Sequence, residues 1–143
     1  MANHLPAINF FVPINATVAG TSVISGTVGQ DMLGYEGCLI IASFGTVLTT
    51  NVTTLQASDS ATNGSYVAIT NAVTPQLGDT ASNTLLVLDV YRPVKRFLSA
   101  IVNRATANVV INSVIMIPYN VKKAPTTLNT TYVSASKFYL GGS

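Results

Sequence analysis

One stretch, from residue 84 to residue 119, limits the possible folds more than any other part of the chain. It contains three strand-like segments in succession, Leu85–Tyr91, Phe97–Asn103 and Val109–Tyr119. All three are rich in the β-branched, Leu or aromatic residues that suit a pleated sheet. Pro93 has no amide hydrogen to give to a ladder, so the first strand must end or reach a sheet edge there. Because the connection 104–108 is short enough for a hairpin, we predict that the three strands form a meander.

The rest of the chain also favours strands. Cys38–Phe44 is a continuous apolar run bounded by glycines, which predicts a buried strand. Thr46–Leu55 is dominated by Val and Thr, and Asn63-Gly64 is a strong turn signal before another strand-like segment at Tyr66–Thr70. No segment has the helical period over three turns. About seven or eight short strands at regular spacing predict an all-β fold, a single β-sandwich or jelly-roll-like domain.

Both ends of the chain differ from this middle part. Residues 1–20 contain Pro6, Pro13 and scattered apolar residues without a sustained period, which predicts an extended N-terminal arm. Residues 121–143 are polar and end in Gly-Gly-Ser, which predicts an extended C-terminal tail. The β-sandwich domain is therefore expected over residues 21–120. An arm exposing Phe10, Phe11 and Val12 would need to dock on its own domain or on a neighbour.

The charge of the chain is low and unevenly distributed. Charged residues make up 8% of the sequence, against roughly 25% in an average soluble domain. Such a surface associates readily, because charge is what keeps a monomer dispersed. All five acids precede residue 92, and all seven bases lie at or after it. The bases expected in loops or at strand ends, where a partner can meet them, are Arg92, Lys95, Arg96, Lys122 and Lys123.

The inventory of reactive side chains argues against catalysis. His4 is the single histidine and Cys38 the single cysteine, so a four-ligand zinc site cannot be assembled and no intramolecular disulfide can form. The neighbours of Cys38 are apolar, which predicts a buried thiol. The five acids are too scattered for a calcium loop or a glycosidase pair. We expect no catalytic, cofactor or metal site, and hence no enzyme.

The same sequence bears on compartment and partners. The first residues lack a basic region followed by an apolar one, so synthesis in the cytoplasm is expected, without a secretory signal. Residues 37–58 are uncharged but contain many Ser, Thr and Asn, so we predict no membrane helix. A net charge of +2 and the lack of a known module argue against nucleic acid. Arg92, Lys95 and Arg96 then form either a solvated corner or a contact with an acidic protein surface.

Three segments together resemble a known protein family. They are LQASDSATNGSYVAIT, LLVLDVYRPVKRFLSAIVNRATANVVINSVIMIPY and KKAPTT, within residues 52–127. In them a strand ending in Val-Tyr-Arg-Pro is followed by a basic pair, an aromatic strand, a Thr-Ala-Asn turn and a last apolar strand. This pattern is similar to small structural proteins of tailed bacteriophages, and most of all to the head decoration, or cement, proteins on the outside of the capsid.

The resemblance implies a function. A cement protein is a compact β-domain that oligomerises on the shell and clamps adjacent major capsid subunits. We therefore expect a virion protein on the outer capsid surface, made in the host cytoplasm. Its partners would be the major capsid protein and further copies of itself, a homodimer in preference to a trimer. On this hypothesis Phe10, Phe11 and Val12 anchor the arm, and acidic capsid residues meet Arg92, Lys95, Arg96, Lys122 and Lys123.

Two other functions stay open. The first is a carbohydrate- or receptor-binding β-domain of a tail or fibre. The test for it is whether Tyr66, Tyr91, Tyr119, Tyr132 and Tyr139 converge at one end of the sandwich, because sugars stack on exposed aromatic rings. The second is an assembly protein of the virion with no role on the shell.

Overall fold

A computed structural model describes residues 9–47, 53–77, 81–104 and 108–121. These residues form ten strands and no helix. The strands are β1 (Phe11–Ile14), β2 (Thr17–Gly20), β3 (Ile24–Ser25), β4 (Gln30–Asp31), β5 (Gly37–Val47), β6 (Thr54–Ser60), β7 (Val67–Val73), β8 (Leu85–Tyr91), β9 (Phe97–Asn103) and β10 (Val109–Tyr119).

The strands form two antiparallel sheets that pack face to face. The first sheet has the order β1-β10-β5-β8, and β2 extends the edge formed by β1 along β10. The second sheet has the order β3-β9-β6-β7, and β4 pairs with β9 beyond β3. The chain is thus an all-β protein with a β-sandwich fold, as the strand spacing predicts.

The core lies between the sheets and follows the period of two that a strand imposes. Each long strand contributes one inward row of apolar residues, fully or almost fully buried. These rows are Cys38, Ile40, Ala42 and Phe44 on β5; Leu55 and Ala57 on β6; Leu98, Ala100 and Val102 on β9; and Val109, Ile111, Val114 and Met116 on β10. The step of three between Ile111 and Val114 marks an irregularity in the pairing with β5, where one more residue is fitted into β10.

The predicted bounds of the three central strands are confirmed, but the meander is wrong. β8 and β10 lie on either side of β5 in the first sheet, whereas β9 belongs to the second sheet. Their two short connections therefore cross between sheets instead of forming hairpins. The 11-residue β5 is the reason, because it supplies pairing partners to both β8 and β10, and local loop length does not determine such distant pairing.

The predicted N-terminal arm is corrected for the part of it that the structure describes. Residues 11–20 form β1 and β2, which pair with β10 as part of the first sheet. Phe11 is 6% exposed and belongs to the core, opposite Met116. The physical reason is that β10 would otherwise leave its second edge unpaired. Residues 1–8 with His4, and residues 122–143 with Lys122 and Lys123, lie outside the described residues.

A buried arginine, Arg104, follows β9. Arg104 is 3% exposed, and its guanidinium donates hydrogen bonds of 2.9 Å to the carbonyl oxygens of Val18, Ser22 and Val109. Burial lowers the pKa of Arg104 from its usual value. Among the bases expected after residue 92, this one serves the fold, by tying β2 and the chain after it to the start of β10.

Candidate functional site

Two loops meet at one end of the sandwich, where β5 and β9 begin and β8 and β10 end. We call residues 32–36 and 92–96 together the loop end. They line an open cavity of about 540 Å³. Three of the candidate contact residues, Arg92, Lys95 and Arg96, lie here, as their position between two predicted strands indicates.

Backbone hydrogen bonds join the two loops. The Met32 amide donates to the Arg96 carbonyl at 2.8 Å, and the Arg92 amide donates to the Glu36 carbonyl at 2.8 Å. Arg92 has a φ of 52°, in the left-handed region that non-glycine residues seldom occupy. The hydrogen bond from its amide to the Glu36 carbonyl holds it there, so the loop end has a defined shape.

The bases of the loop end are paired with acids of the same chain. Arg96 forms a two-pronged ion pair with Asp31, at 3.0 Å from Nε and 2.7 Å from Nη2. Lys95 Nζ lies 2.9 Å from Asp59 Oδ1, and Arg92 Nη2 lies 3.9 Å from Glu36 Oε1. Three bases are thus matched by three acids, and the charge asymmetry of the sequence is cancelled here by folding.

The three pairs differ in strength. The hydrogen bonds from Arg96 hold the pKa of the Asp31 carboxyl below its usual value, and the carboxylate in turn raises the pKa of Arg96. The Asp59 side chain is 11% exposed, so Lys95 is needed beside it. Arg92 is 72% exposed in its side chain and 3.9 Å from its partner. Arg92 is therefore the base most accessible to another molecule.

Apolar side chains project from the same end. Val94 is 95% exposed, Leu33 is 70% exposed and Tyr91 is 55% exposed. The Arg92 guanidinium lies 5.1 Å from the centre of the Tyr91 ring, within the range of a cation–π contact. Single exposed apolar residues are ordinary, but three on neighbouring loops form an apolar tip around one accessible cation.

All four tyrosines of the described part of the chain lie at this end, Tyr35, Tyr66, Tyr91 and Tyr119. The hydroxyl of Tyr119 donates to Asp89 Oδ1 at 2.5 Å, and the hydroxyl of Tyr66 donates to Asn63 Oδ1 at 2.5 Å. Burial is the main cause that raises the pKa of both hydroxyls. Gly37 lies between Tyr91 and Tyr119 in the register, and a Cβ there would meet the Tyr119 ring.

The predicted contact residues are not brought together into one site. β1, with Phe11 and Val12, forms the edge of the first sheet opposite to β8, after which Arg92 follows. Phe10 and Val12 are half-buried. Among the described contact residues, the apolar ones on β1 and Arg92 after β8 therefore lie at opposite edges of the first sheet.

The described residues offer no obvious catalytic or metal centre. The Cys38 thiol is buried, and desolvation is the main cause that raises its pKa to about 12, so it is not a ready nucleophile. No cluster of three or more His, Cys, Asp or Glu side chains occurs among the residues with a described position. No helix there is long and apolar enough to cross a membrane.

The outer face of the first sheet carries a second group of apolar residues, none of which is among the contact residues predicted from the sequence. We call Leu39, Ile41, Leu85, Val87, Ile115 and Ile117 the outer apolar face. Ile41 lies between Val87 and Ile115 in the register, and Leu39 lies beside Ile117. Val87 and Leu85 are 51% and 56% exposed, and the other four are half-buried. The sequence signal was the unbroken apolar run of β5, because a strand with one wet face normally alternates.

No protein-family model matches the chain, and no curated protein matches it either.

Proposed function

We propose that this chain is a structural protein of a bacteriophage virion. It binds the outside of the assembled capsid and stabilises the shell by clamping neighbouring major capsid subunits. The observation that carries the proposal is the combination of a rigid β-sandwich with two separate apolar surfaces, the loop end and the outer apolar face. A protein that clamps by contact needs two such surfaces, one for a capsid subunit and one for a second copy of the chain, so that the pair reaches two capsid subunits.

The loop end is the surface that we assign to the capsid. Val94 and Leu33 are its projecting side chains, and Arg92 is its most accessible base. Arg96 and Lys95 contribute less to a partner, because Asp31 and Asp59 already bind them. Phe11 is excluded as an anchor since it lies in the core, whereas Phe10, Val12, Lys122 and Lys123 remain candidates.

The mechanism is selective binding to the assembled state. A protein that contacts two capsid subunits at once finds both halves of its site only on the shell. Such binding shifts the equilibrium towards the shell by the same linkage through which any ligand stabilises the state it prefers. Because several copies act on one shell, interfaces of modest strength suffice.

The first test is binding of the full chain to empty expanded heads and to unassembled capsid subunits of a phage that carries it. We expect saturable binding to heads and no binding to subunits. Val94→Glu and Arg92→Glu should each weaken binding by about ten-fold or more, as expected of a residue in the centre of an interface. Val18→Glu is the matched control, because Val18 is 82% exposed on β2, away from the loop end.

Two results would overturn the assignment. If heads do not bind the folded protein, the shell is not its partner. If Val94→Glu and Val18→Glu bind heads equally well, the loop end is not the contact surface.

A carbohydrate- or receptor-binding domain of a tail or fibre is the second candidate. The observation in its favour is the convergence of Tyr66, Tyr91 and Tyr119 at one end, although Tyr132 and Tyr139 lie outside the described residues. Tyr91 is the exposed ring of the three. On this alternative a glycan array gives a specific signal that Tyr91→Ala abolishes and Val28→Ala preserves; an array without signal removes it.

A further inference from the structure

We propose that the outer apolar face is the surface through which two copies of this chain pair, face to face. The proposed function expects copies of the chain to associate, and this proposal rests on it for that expectation alone. It names the surface, Leu39, Ile41, Leu85, Val87, Ile115 and Ile117, and its occupant, the same surface of a second copy.

The first reason is the chemistry of the face. Three adjacent strands present Val87, Ile41 and Ile115 in one row across the sheet, and Leu39 and Ile117 in the next. Among the described strands of the first sheet, Asp89 is the only charged residue, and the hydroxyl of Tyr119 already donates to it. Apart from this one carboxylate, which lies beside Leu39 on the edge strand β8, the surface is uncharged and selects a partner that is equally apolar, and a second copy always supplies one.

The second reason is that the described chain places nothing over this face. The second sheet contacts the inward rows, so the described residues form two layers only. Without a partner, water contacts the six side chains of the outer apolar face, of which Val87 and Leu85 are more than half exposed. Removing such area from water is favourable by about 25 cal/mol per Å².

The third reason is size. β5 and β10 each have 11 residues, and the sheet is four strands wide. With about 4.8 Å between strands and about 3.3 Å per residue, the whole outward side of the sheet measures roughly 600 Å², and the outer apolar face is the part of it on β5, β8 and β10. A standard interface buries roughly 800 Å² on each partner, so two copies that meet across this whole side approach what a stable dimer needs.

The geometry favours two copies over three. A flat face that binds its own equivalent forms an isologous contact, which is complete when two copies have met. A trimer needs two different surfaces that fit each other in a ring. The two sheets of the pair would pack at the small angle that is usual for aligned sheets.

Sedimentation equilibrium of the full 14.9 kDa chain tests the inference. We expect twice this mass for the native protein and for Val67→Lys, which alters a strand residue that is 59% exposed on β7. Val87→Lys alters a residue that is 51% exposed, so the fold should tolerate it, yet the dissociation constant should rise by at least about ten-fold. A far-UV circular dichroism spectrum equal to that of the native chain shows that the fold of the Val87→Lys monomer is intact, whereas its unfolding midpoint should fall because association no longer stabilises it.

A second measurement separates the other occupants of the face. Cys38 is buried, so a maleimide should react selectively with the new thiol of Val87→Cys or of the control Val67→Cys. The inference predicts slow labelling at position 87 that becomes fast on dilution, and fast labelling at 67 throughout. A monomer with fast labelling at 87 means an open face, and a monomer with slow labelling means that the same chain covers it. Either result overturns the proposed pairing.

A Val87→Lys protein that still dimerises also overturns it, because another surface then joins the copies. Failure of the proposed function is a separate outcome: a dimer that Val87→Lys dissociates, yet that does not bind heads, leaves this inference standing.

Discussion

The two outer faces of the sandwich are built differently. The first sheet presents the outer apolar face, and nothing in the described part of the chain lies on it. The second sheet presents mostly small polar residues outward, and the protein's own loops cover part of them. Outward residues of β6 and β9 that are buried in this way are Ser58, Ser60 and Ser99.

Two loops, one before β4 and one before β7, cover part of the second sheet. Hydrogen bonds to Asn63 join them, and we call this contact the bridge. Asn63 Oδ1 accepts hydrogen bonds from the Gly29 amide at 3.0 Å and from the Tyr66 hydroxyl at 2.5 Å. Ser99 Oγ donates to the Val28 carbonyl at 3.1 Å. Because β6 and β9 separate β7 from β4 in the sheet, the loops before those strands must reach across both to meet.

The difference indicates which face is finished within one chain. Ser60 and Ser99 donate hydrogen bonds to carbonyl oxygens of the covering loops, whereas no hydrogen bond is found for the buried Ser58 Oγ. Apolar side chains on the open face gain only when another surface approaches. We infer that the second sheet is closed by folding and that the first is closed by assembly.

The largest effect expected from breaking the bridge is that of Gly29→Ala. A Cβ at this position would lie 2.6 Å from the Leu98 carbonyl oxygen, and closer still to the Tyr66 hydroxyl. Since backbone cannot move aside cheaply, we expect a loss of about 1–3 kcal/mol of unfolding free energy, measured with urea. Gly64→Ala is the control, because its nearest atom is 3.9 Å away. Equal midpoints for the two variants would show that the loops do not pack as described.

A smaller effect is expected for Asn63→Ala. The substitution leaves the Gly29 amide without its acceptor, and one such hydrogen bond contributes about 1 kcal/mol. Asn112→Ala serves as the matched control on the first sheet, where Asn112 Nδ2 donates to Ser43 Oγ at 3.4 Å on an exposed surface. Urea unfolding should separate the two variants, and a greater loss in Asn112→Ala would reverse the comparison.

The smallest effect concerns acid. Because Arg96 lowers the pKa of Asp31 in the folded state, this pair stabilises the protein above the unfolded pKa of about 3.8, and the stability is lost as pH falls through the lower, folded pKa. Asp31→Asn should therefore flatten the fall of stability below about pH 4. Both partners are exposed, so the change should be slight. If the variant is as acid-sensitive as the native chain, the ion pair between Asp31 and Arg96 does not stabilise the fold.

Much of the fold could be predicted from local patterns. The bounds of β8, β9 and β10 follow from their β-branched and aromatic composition, and the burial of Cys38 follows from its apolar neighbours. Those signals lie within a few residues of each other. Residues that pair between strands are far apart in the sequence, which is why the predicted meander was wrong.

The candidate site was harder to predict for the same reason. Arg96 and Lys95 find their acids 65 and 36 residues earlier in the chain, so sequence charge alone placed a basic corner where the fold places ion pairs. Phe11 looked like an exposed anchor, because nothing near it in sequence shows that β10 offers it an edge. The outer apolar face had a local signal, the unbroken apolar run of β5, but it needed the register of three strands to become a surface.

Stabilisation of the capsid is measured by the temperature at which empty heads fall apart. Heads should be titrated with the native chain, with Val94→Glu and with Val18→Glu, and then heated. We expect a disruption temperature that rises to saturation with the native chain and with Val18→Glu, and that rises with Val94→Glu only at concentrations about ten-fold higher or more. A disruption temperature that the native chain does not change, while it is folded and saturating, would contradict a role in stabilising the capsid.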